Sequence, residues 1–240
     1  YDLALGAMGE YDTARLRFTY ASMTTPMQTT DYDMGTGMRN LRKSQNVSSG
    51  HDPAEYVTRR ITATSHDGAE VPVSIVYHRD TPLDGSAPVL LYGYGAYGIT
   101  IPAGFSVTRL SLVTRGFIYA IAHIRGGKAL GHNWFIQGRG AKKTNSFKDF
   151  AAAARALIAR GWTTPGNITI HGGSAGGLLV GATVNLAPEL FRAAVAEVPF
   201  VDVLTTILDD TLPLTPPEWP EWGNPIESAT DYATIKAYAP

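Results

Sequence analysis

The chain has 240 residues, 44% of them hydrophobic, which is enough to bury a sizeable core in one or two domains. Twenty basic residues balance 21 acidic ones and leave a net charge of −1, so a nucleic acid is not an expected partner. The chain contains no cysteine, which excludes disulfides and thiolate metal sites, and the sequence indicates neither a metal nor a cofactor.

The first 60 residues show no helical periodicity. Leu16, Phe18 and Tyr20 alternate with polar residues, which predicts a half-buried strand. Residues 24–26 predict a turn, and residues 39–43 predict an exposed basic loop. A second β-rich stretch begins near residue 56.

That second stretch predicts a β-hairpin. It runs through Ile61 and residues 71–77, and Asp67 and Gly68 between these runs supply a tight hairpin turn. No apolar run approaches the roughly 18–20 residues that span a bilayer, and the first residues do not resemble a signal peptide. We therefore expect a cytoplasmic protein without a membrane partner.

After residue 88 the pattern changes to alternating strands and helices. Continuous apolar runs, typical of strands buried on both faces, occupy residues 89–92, 117–122, 168–170 and 193–198. The clearest helix begins at Ser146, with Asp149 as a capping-box-like partner, and Gly161 lies just past its end. This alternation predicts an α/β fold with a parallel sheet flanked by helices.

The most informative motif follows the run at residues 168–170. Gly172, Gly173, Ser174, Ala175 and Gly176 form a G-x-S-x-G sequence between a strand and a helix-compatible segment. This is the nucleophile elbow, in which a sharp turn exposes the serine hydroxyl at the sheet edge. The outer glycines fit because a β-carbon would crowd so tight a turn. We predict that Ser174 is a nucleophile.

Several further motifs, in order along the chain, resemble one known family. They are Tyr-Gly-Tyr-Gly-Ala-Tyr-Gly at residues 92–98, Arg-Gly-Gly at 125–127 with Gly131 and Trp134, and Gly-Gly-Ser-Ala-Gly-Gly at 172–177. Together they are similar to the prolyl oligopeptidase family of serine peptidases, and the resemblance covers nearly the whole chain. Residues 198–204 and 221–225 are most similar to its oligopeptidase B branch.

The resemblance implies a domain organisation. The family pairs a seven-bladed β-propeller with an α/β-hydrolase domain. By analogy, residues 1–55 are the end of the propeller and the segment that crosses back. Residues 56–240 are then the N-terminal part of an α/β-hydrolase catalytic domain that is truncated at its C-terminus.

Two groups are expected to stabilise the oxyanion formed when Ser174 attacks a carbonyl. The fold supplies the backbone N–H of Ala175, at the positive end of the following helix. The resemblance implies a tyrosine hydroxyl as the second donor, at Tyr94 in the glycine-rich loop. The alternative for Tyr94 is a packed aromatic beside Tyr92 and Tyr97.

Substrate preference is expected to depend on Glu218. The resembled branch cleaves after Arg or Lys, and Glu218 matches the first of two glutamates in a loop that binds the basic side chain. A carboxylate facing a guanidinium forms a strong charge-assisted pair. Pro220 stands where the second glutamate would be, which weakens the expected preference. The alternative for Glu218 is a solvated loop carboxylate.

The usual proton acceptor is missing from the expected stretch of sequence. α/β-Hydrolases carry the triad in the order Ser, Asp or Glu, then His, yet all six histidines precede Ser174. His123 and His171 fit packed positions on or beside strands better than a catalytic role. The resemblance implies that the triad acid and base lie beyond Pro240, so we expect a fragment that is inactive alone.

The leading functional prediction is a serine endopeptidase that cuts short peptides after Arg or Lys through an acyl-enzyme on Ser174. Its expected partner is the peptide substrate, and the oligomeric state stays open. An esterase or acylaminoacyl peptidase remains an alternative, because a fold does not fix its substrate. A third possibility is a chain without catalysis of its own, either a fragment or a binding relative.

Overall fold

The first of two sheets contains the N-terminal strands. The computed structural model describes residues 1–7 and 9–240. The sheet is antiparallel, in the order β1-β2-β3-β4, with β1 at Asp2–Leu5, β2 at Arg15–Ala21, β3 at Gln28–Asp33 and β4 at Arg39–Ser44. The predicted strand around Phe18 is confirmed as β2.

The predicted loop at residues 39–43 is wrong, because these residues form β4. Thr30 of β3 pairs with Leu41 and Asp31 pairs with Asn40. The strand is exposed along its whole length, and charged exposed residues are typical of an edge strand. It lacks the apolar alternation that reveals a half-buried strand, and it was therefore missed.

The second sheet has six strands in the order β10-β9-β7-β8-β6-β5. Their bounds are β5 Tyr56–Thr64, β6 Glu70–His78, β7 Val89–Tyr92, β8 Ile118–Ala122, β9 Ile168–Gly173 and β10 Phe191–Glu197. Strands β7 to β10 are parallel, and β6 pairs antiparallel with β5 and β8. The predicted hairpin is confirmed, with Gly68 at φ +81°.

Seven α-helices accompany the sheets in the described part of the chain. They are α1 Val107–Val113, α2 His132–Ile136, α3 Thr144–Ala159, α4 Ala175–Leu186, α5 Val203–Leu208, α6 Thr215–Trp222 and α7 Ala229–Tyr238. Residues Ile75, Leu91 and Ile170 of the six-stranded sheet form the core with Phe150 of α3 and Leu178 of α4, all fully buried. Each such side chain contributes about 1.5–3 kcal/mol. None of the helices described is long and apolar enough to cross a membrane.

The predicted start of α3 is wrong. The helix begins at Thr144, and Ser146 and Asp149 are fully buried within it instead of capping it. Both side chains hydrogen-bond to Arg125. The predicted end is confirmed, since the helix ends at Ala159 and Gly161 follows at φ +71°.

The architecture is that of an α/β-hydrolase preceded by an all-β segment. The first sheet ends at Ser44 and the second begins at Tyr56. Met23 of the N-terminal region packs with Val76 and Tyr119 of the six-stranded sheet. The domain boundary near residue 55 stays a prediction. The carboxyl ends of β7, β8 and β9 lead into the loops that carry the predicted site, as is usual in α/β folds.

Candidate active site

The turn between β9 and α4 holds Ser174 in a strained backbone conformation. Ser174 has φ +56° and ψ −118°, a region that L-residues rarely occupy. Backbone hydrogen bonds to the segment at residues 197–200 help to hold it there. Its N–H donates to the Glu197 carbonyl at 2.9 Å, and its own carbonyl accepts from the Phe200 N–H at 3.0 Å. The residue is exposed at the carboxyl edge of the sheet, as a nucleophile requires.

The glycines of the elbow have different reasons for being small. A β-carbon on Gly172 would lie 2.3 Å from the Gly176 carbonyl oxygen, and one on Gly176 would lie 2.9 Å from the Gly93 oxygen. A β-carbon on Gly173 would meet its nearest neighbour at 3.7 Å, an ordinary contact. Two of the three glycines are thus required by close backbone approach.

The structure brings Tyr94 next to Ser174. Tyr94 follows β7, and its ring packs against the Gly176 position. Burial raises the pKa of the Tyr94 phenol, and a hydrogen-bonding interaction with the Ser174 side chain opposes that rise. The phenol is therefore protonated at neutral pH and can donate a hydrogen bond toward the space beside the Ser174 hydroxyl.

The second predicted oxyanion donor lies on the other side of the same turn. The Ala175 N–H opens α4, and within residues 1–7 and 9–240 it has no backbone acceptor. The first N–H groups of a helix are free to bind an anion. Ala175 and Tyr94 thus place two donors around Ser174, and their role in catalysis stays a prediction.

A cavity of about 400 Å³ is lined by both Ser174 and Glu218. Apolar side chains form most of the rest of its wall, including Val198, Phe200 and Leu214. Its volume, and an apolar lining with a few polar groups, are typical of a ligand-binding cleft.

The prediction that Glu218 lies in a loop is wrong, because it belongs to helix α6. Its carboxylate is half-buried, and Oε2 accepts from the Tyr97 hydroxyl at 3.0 Å and from the Trp222 indole N–H at 2.9 Å. Pro220 is exposed within the same helix and adds no second carboxylate. The Glu218 side chain is therefore oriented by aromatic donors and is not a freely solvated carboxylate.

A buried lysine below this region was missed by the sequence analysis. Lys143 is 2% exposed, and its Nζ donates to the Gly95 carbonyl at 2.7 Å. The same Nζ lies 3.6 Å from Glu221 Oε1 and 4.7 Å from the centre of the Trp222 ring. Burial lowers the pKa of Lys143 to about 8 and raises that of Glu221. In sequence, Lys143 looks like the surface residue that its neighbour Lys142 is.

Another charge cluster, the Arg125 cluster, is centred on Arg125 in the loop after β8. Its guanidinium donates to both oxygens of Asp149, at 2.8 and 2.6 Å, and to both oxygens of Asp67, at 2.6 and 3.0 Å. These hydrogen bonds lower the pKa of Asp67 to about 2. A β-carbon on the adjacent Gly126 would lie 2.0 Å from the Gly95 oxygen, so the backbone next to this cluster packs closely against residues 93–98, the Tyr94 loop.

The two histidines nearest the site are packed, as predicted. His123 is buried with Nε2 2.8 Å from the Ser74 hydroxyl, and burial lowers its pKa to about 4. His171 lies on β9 with Nε2 3.1 Å from Glu197 Oε2. Among the hydrogen bonds of the described residues, neither histidine contacts Ser174.

The fold and the elbow define the chain as an α/β-hydrolase with a serine in the strained turn between β9 and α4. A model of the prolyl oligopeptidase family matches residues 103–240, more than half of the chain. Over its full length, the chain is 45% identical to dipeptidyl aminopeptidase BI of Pseudoxanthomonas mexicana and 40% identical to protease 2 of Moraxella lacunata. The chain belongs to the prolyl oligopeptidase family.

Solved structures support the same assignment. Oligopeptidase B from Trypanosoma brucei with covalently bound antipain is 45% identical, with a TM-score of 0.95, over 99% of this chain and 34% of that one. Oligopeptidase B from Leishmania major is 41% identical, with a TM-score of 0.93, over 99% of this chain and 33% of that one. The chain spans 33% and 35% of the two curated relatives named above, about a third of their length.

Proposed function

We propose that this chain carries the nucleophile, the oxyanion donors and the specificity carboxylate of a serine endopeptidase that cleaves short peptides after Arg or Lys. The single observation that carries the proposal is the cavity of about 400 Å³ that is lined by both Ser174 and Glu218. A peptide whose basic side chain entered that cavity would present its carbonyl to the serine hydroxyl. Residues 1–55 would belong to the end of a β-propeller, and residues 56–240 to the catalytic domain.

In this mechanism, Ser174 Oγ forms a bond to the carbonyl carbon of the substrate. The Ala175 N–H and the Tyr94 hydroxyl donate hydrogen bonds that stabilise the negative charge developing on the carbonyl oxygen. A histidine takes the proton of the Ser174 hydroxyl and gives it to the leaving nitrogen as this intermediate collapses. The peptide C–N bond then breaks, a neutral amine leaves, and the acyl-enzyme that remains is hydrolysed by water. The histidine that accepts the serine proton, and its acidic partner, follow the serine in the α/β-hydrolase order and are expected after Pro240.

Glu218 would select a basic side chain by charge. Its described hydrogen bonds fall on Oε2, which receives the Tyr97 and Trp222 donors. Because a carboxylate has acceptor positions on both oxygens, Oε1 can still accept from a guanidinium or an ammonium group. The apolar wall would cover the aliphatic part of the Arg or Lys side chain.

The test uses the complete gene product that contains this chain. We expect it to hydrolyse fluorogenic peptides with Arg before the cleaved bond faster than matched peptides with norleucine or Pro. Ser174→Ala should abolish hydrolysis. Glu218→Gln should lower kcat/KM for the Arg peptide by about tenfold to a hundredfold, because a charge-assisted hydrogen bond is lost, and should change the norleucine value little. Glu227→Gln removes an exposed carboxylate outside the cavity and serves as the control.

Faster cleavage after Pro, or an unchanged Arg-to-norleucine ratio in Glu218→Gln, would contradict the proposed specificity. A second candidate is release of dipeptides from free N-termini, which is favoured by the 45% identity, over the whole of this chain and 33% of the relative, to dipeptidyl aminopeptidase BI. Peptides with blocked and free N-termini separate the two. An endopeptidase cleaves both, whereas a dipeptidyl aminopeptidase requires the free amine.

A further inference from the structure

A buried cation forms a hydrogen bond to the backbone of the loop that carries Tyr94. Lys143 immediately precedes α3, and its Nζ donates to the carbonyl of Gly95, the residue after Tyr94, at 2.7 Å. The hydroxyl of Ser146 lies 3.5 Å from the same carbonyl oxygen. The side chains that hold this backbone are almost fully buried, so water does not compete for the carbonyl.

The same loop is held a second time by the partner of that cation. Glu221 Oε1 lies 3.6 Å from Lys143 Nζ and accepts the backbone N–H of Tyr97 at 3.1 Å. Tyr97 has φ +56°, a conformation that costs about 1–3 kcal/mol and persists only where the surroundings impose it. Glu221 is therefore placed to maintain a strained backbone three residues after the predicted oxyanion donor.

Contacts also link the pair to the Glu218 carboxylate of the cavity. Glu221 lies on α6, one helical turn from Glu218, and the intervening contacts run through two aromatic side chains. Trp222, over whose ring the Lys143 Nζ lies at 4.7 Å, donates to Glu218 Oε2, and the Tyr97 hydroxyl donates to the same oxygen. One buried ion pair thus connects the Tyr94 loop to the helix that carries Glu218.

We propose that Lys143 and Glu221 are positioning residues that fix Tyr94 and Glu218 relative to each other, so that oxyanion stabilisation and selection of the basic side chain depend on one ion pair. This inference deepens the proposed function and rests on it. Neither residue lines the cavity beside Ser174, so both act through their neighbours. A misplacement of about 1 Å lowers turnover by about a hundredfold, which makes such support necessary.

The first experiment measures how firmly the backbone of the Tyr94 loop is held, and it does not depend on activity. Hydrogen exchange followed by mass spectrometry is measured on the complete gene product carrying Ser174→Ala, so that the result does not depend on catalysis. We expect Lys143→Met and Glu221→Leu each to speed exchange of the amides in residues 94–98 by about tenfold or more, because hydrogen bonds to charged groups are lost. Exchange in β6 should not change. Lys142→Met, which alters the exposed neighbouring lysine, should leave both regions unchanged.

The second experiment reads selectivity on the active protein. Concentrations are corrected by titration with a fluorophosphonate, so that loss of folded protein does not count as loss of turnover. We expect Lys143→Met and Glu221→Leu to lower kcat by about tenfold to a hundredfold, less than or equal to the loss of one full oxyanion donor. The Arg-to-norleucine ratio of kcat/KM should fall in the same variants. Glu221→Gln, which keeps an acceptor oxygen for Tyr97, should recover part of both losses.

A double variant, Lys143→Met with Glu221→Leu, removes the unpaired charge that either single change leaves in the interior. We expect it to fold, to exchange faster at residues 94–98 and to lose both turnover and selectivity. The inference would be overturned if exchange at residues 94–98 were as slow as in the unsubstituted protein and the Arg-to-norleucine ratio of kcat/KM were unchanged. Failure of the double variant to fold would overturn it too, because the pair would then support the fold instead of positioning the site. If the unsubstituted protein does not hydrolyse peptides, the proposed function fails, and the exchange result still decides whether the ion pair holds the loop.

Discussion

Two charge clusters with buried members, one around Arg125 and one formed by Lys143 and Glu221, are built differently. Arg125 uses its planar guanidinium to donate four hydrogen bonds to the carboxylates of Asp149 and Asp67. Lys143 donates one hydrogen bond, to Gly95, and reaches Glu221 only at 3.6 Å. The planar fork of arginine matches a carboxylate, whereas the ammonium group of lysine is a point charge.

The pKa shifts report this difference. In the first cluster, the hydrogen bonds from Arg125 outweigh burial and lower the pKa of Asp67 to about 2. In the second, burial outweighs the attraction of Glu221 and lowers the pKa of Lys143 to about 8. The charged form of Asp67 is thus favoured by its hydrogen bonds, whereas the charged form of Lys143 is disfavoured by its burial. A buried ion pair is weak evidence for stability, which agrees with the positioning role proposed above for Lys143 and Glu221.

The largest expected effect is a loss of stability on replacing Asp149, the buried carboxylate of the Arg125 cluster. Asp149→Ala removes a fully buried partner of Arg125 and leaves the guanidinium partly unpaired in the interior. We expect the free energy of unfolding to fall by about 3–5 kcal/mol, measured by urea denaturation.

The control for this change is an ion pair of similar length on the surface. Arg155 and Glu189 lie 3.2 Å apart and are both more than half exposed. Glu189→Gln should change the free energy of unfolding by less than about 1 kcal/mol. Equal losses in the two variants would mean that burial does not distinguish the Arg125 cluster.

A smaller effect is expected where the first cluster contacts the Tyr94 loop. Gly126 and Gly131 have nearly the same φ, +91° and +89°. A β-carbon on Gly126 would lie 2.0 Å from the Gly95 oxygen, whereas one on Gly131 would meet no atom within 4 Å. Replacement by Ala therefore places a side chain at positive φ at both positions and adds a collision at only one.

We expect Gly126→Ala to be less stable than Gly131→Ala by about 1–3 kcal/mol in urea denaturation. Turnover per folded molecule should fall only in Gly126→Ala, because only that change displaces the loop of Tyr94. Similar stability of the two variants would argue that strain at positive φ, and not close approach to Gly95, explains the glycine at position 126.

Local patterns in the sequence predicted the elements that determine their own geometry. The elbow at Ser174 could be predicted because its glycines, the preceding apolar strand and the following helix are adjacent in sequence. The hairpin at Gly68 and the end of α3 before Gly161 were predicted correctly for the same reason. Tyr94 could be placed near Ser174 only through the resemblance to a family, since 80 residues separate them.

The missed features depend on contacts between distant segments. Ser146 and Asp149 have the spacing of a capping box, yet their partner is Arg125, which no local pattern links to them. Lys143 follows an exposed lysine, and its burial depends on Gly95 and Glu221, which are 48 and 78 residues away. Sequence periodicity reports which face of an element is apolar. It does not report which buried charge will meet a carbonyl or a carboxylate from elsewhere.

The smallest expected effect concerns Asp67, the partly exposed carboxylate of the Arg125 cluster. Hydrogen bonds from Arg125 lower the pKa of Asp67 to about 2 from an ordinary value of 3.8. The folded state therefore favours the ionised carboxylate, and its contribution to stability is complete above pH 3.8 and disappears as the pH falls through about 2. Because the Asp67 side chain is 40% exposed, solvent screening keeps this contribution near or below about 1 kcal/mol.

The measurement is the difference in urea midpoint between the unsubstituted protein and Asp67→Asn at several pH values. We expect a constant difference above about pH 4 that shrinks toward pH 2, because protonation removes from the unsubstituted protein what the substitution has already removed. Asp80→Asn, which removes one exposed negative charge from the end of the same hairpin, corrects for the change in net charge. If the difference in urea midpoint for Asp67→Asn stays constant down to pH 2, ionised Asp67 contributes nothing to stability. Asp149 would then be the one carboxylate on which Arg125 depends, as Glu221 is for Lys143. The two clusters would differ only in the geometry of arginine and lysine.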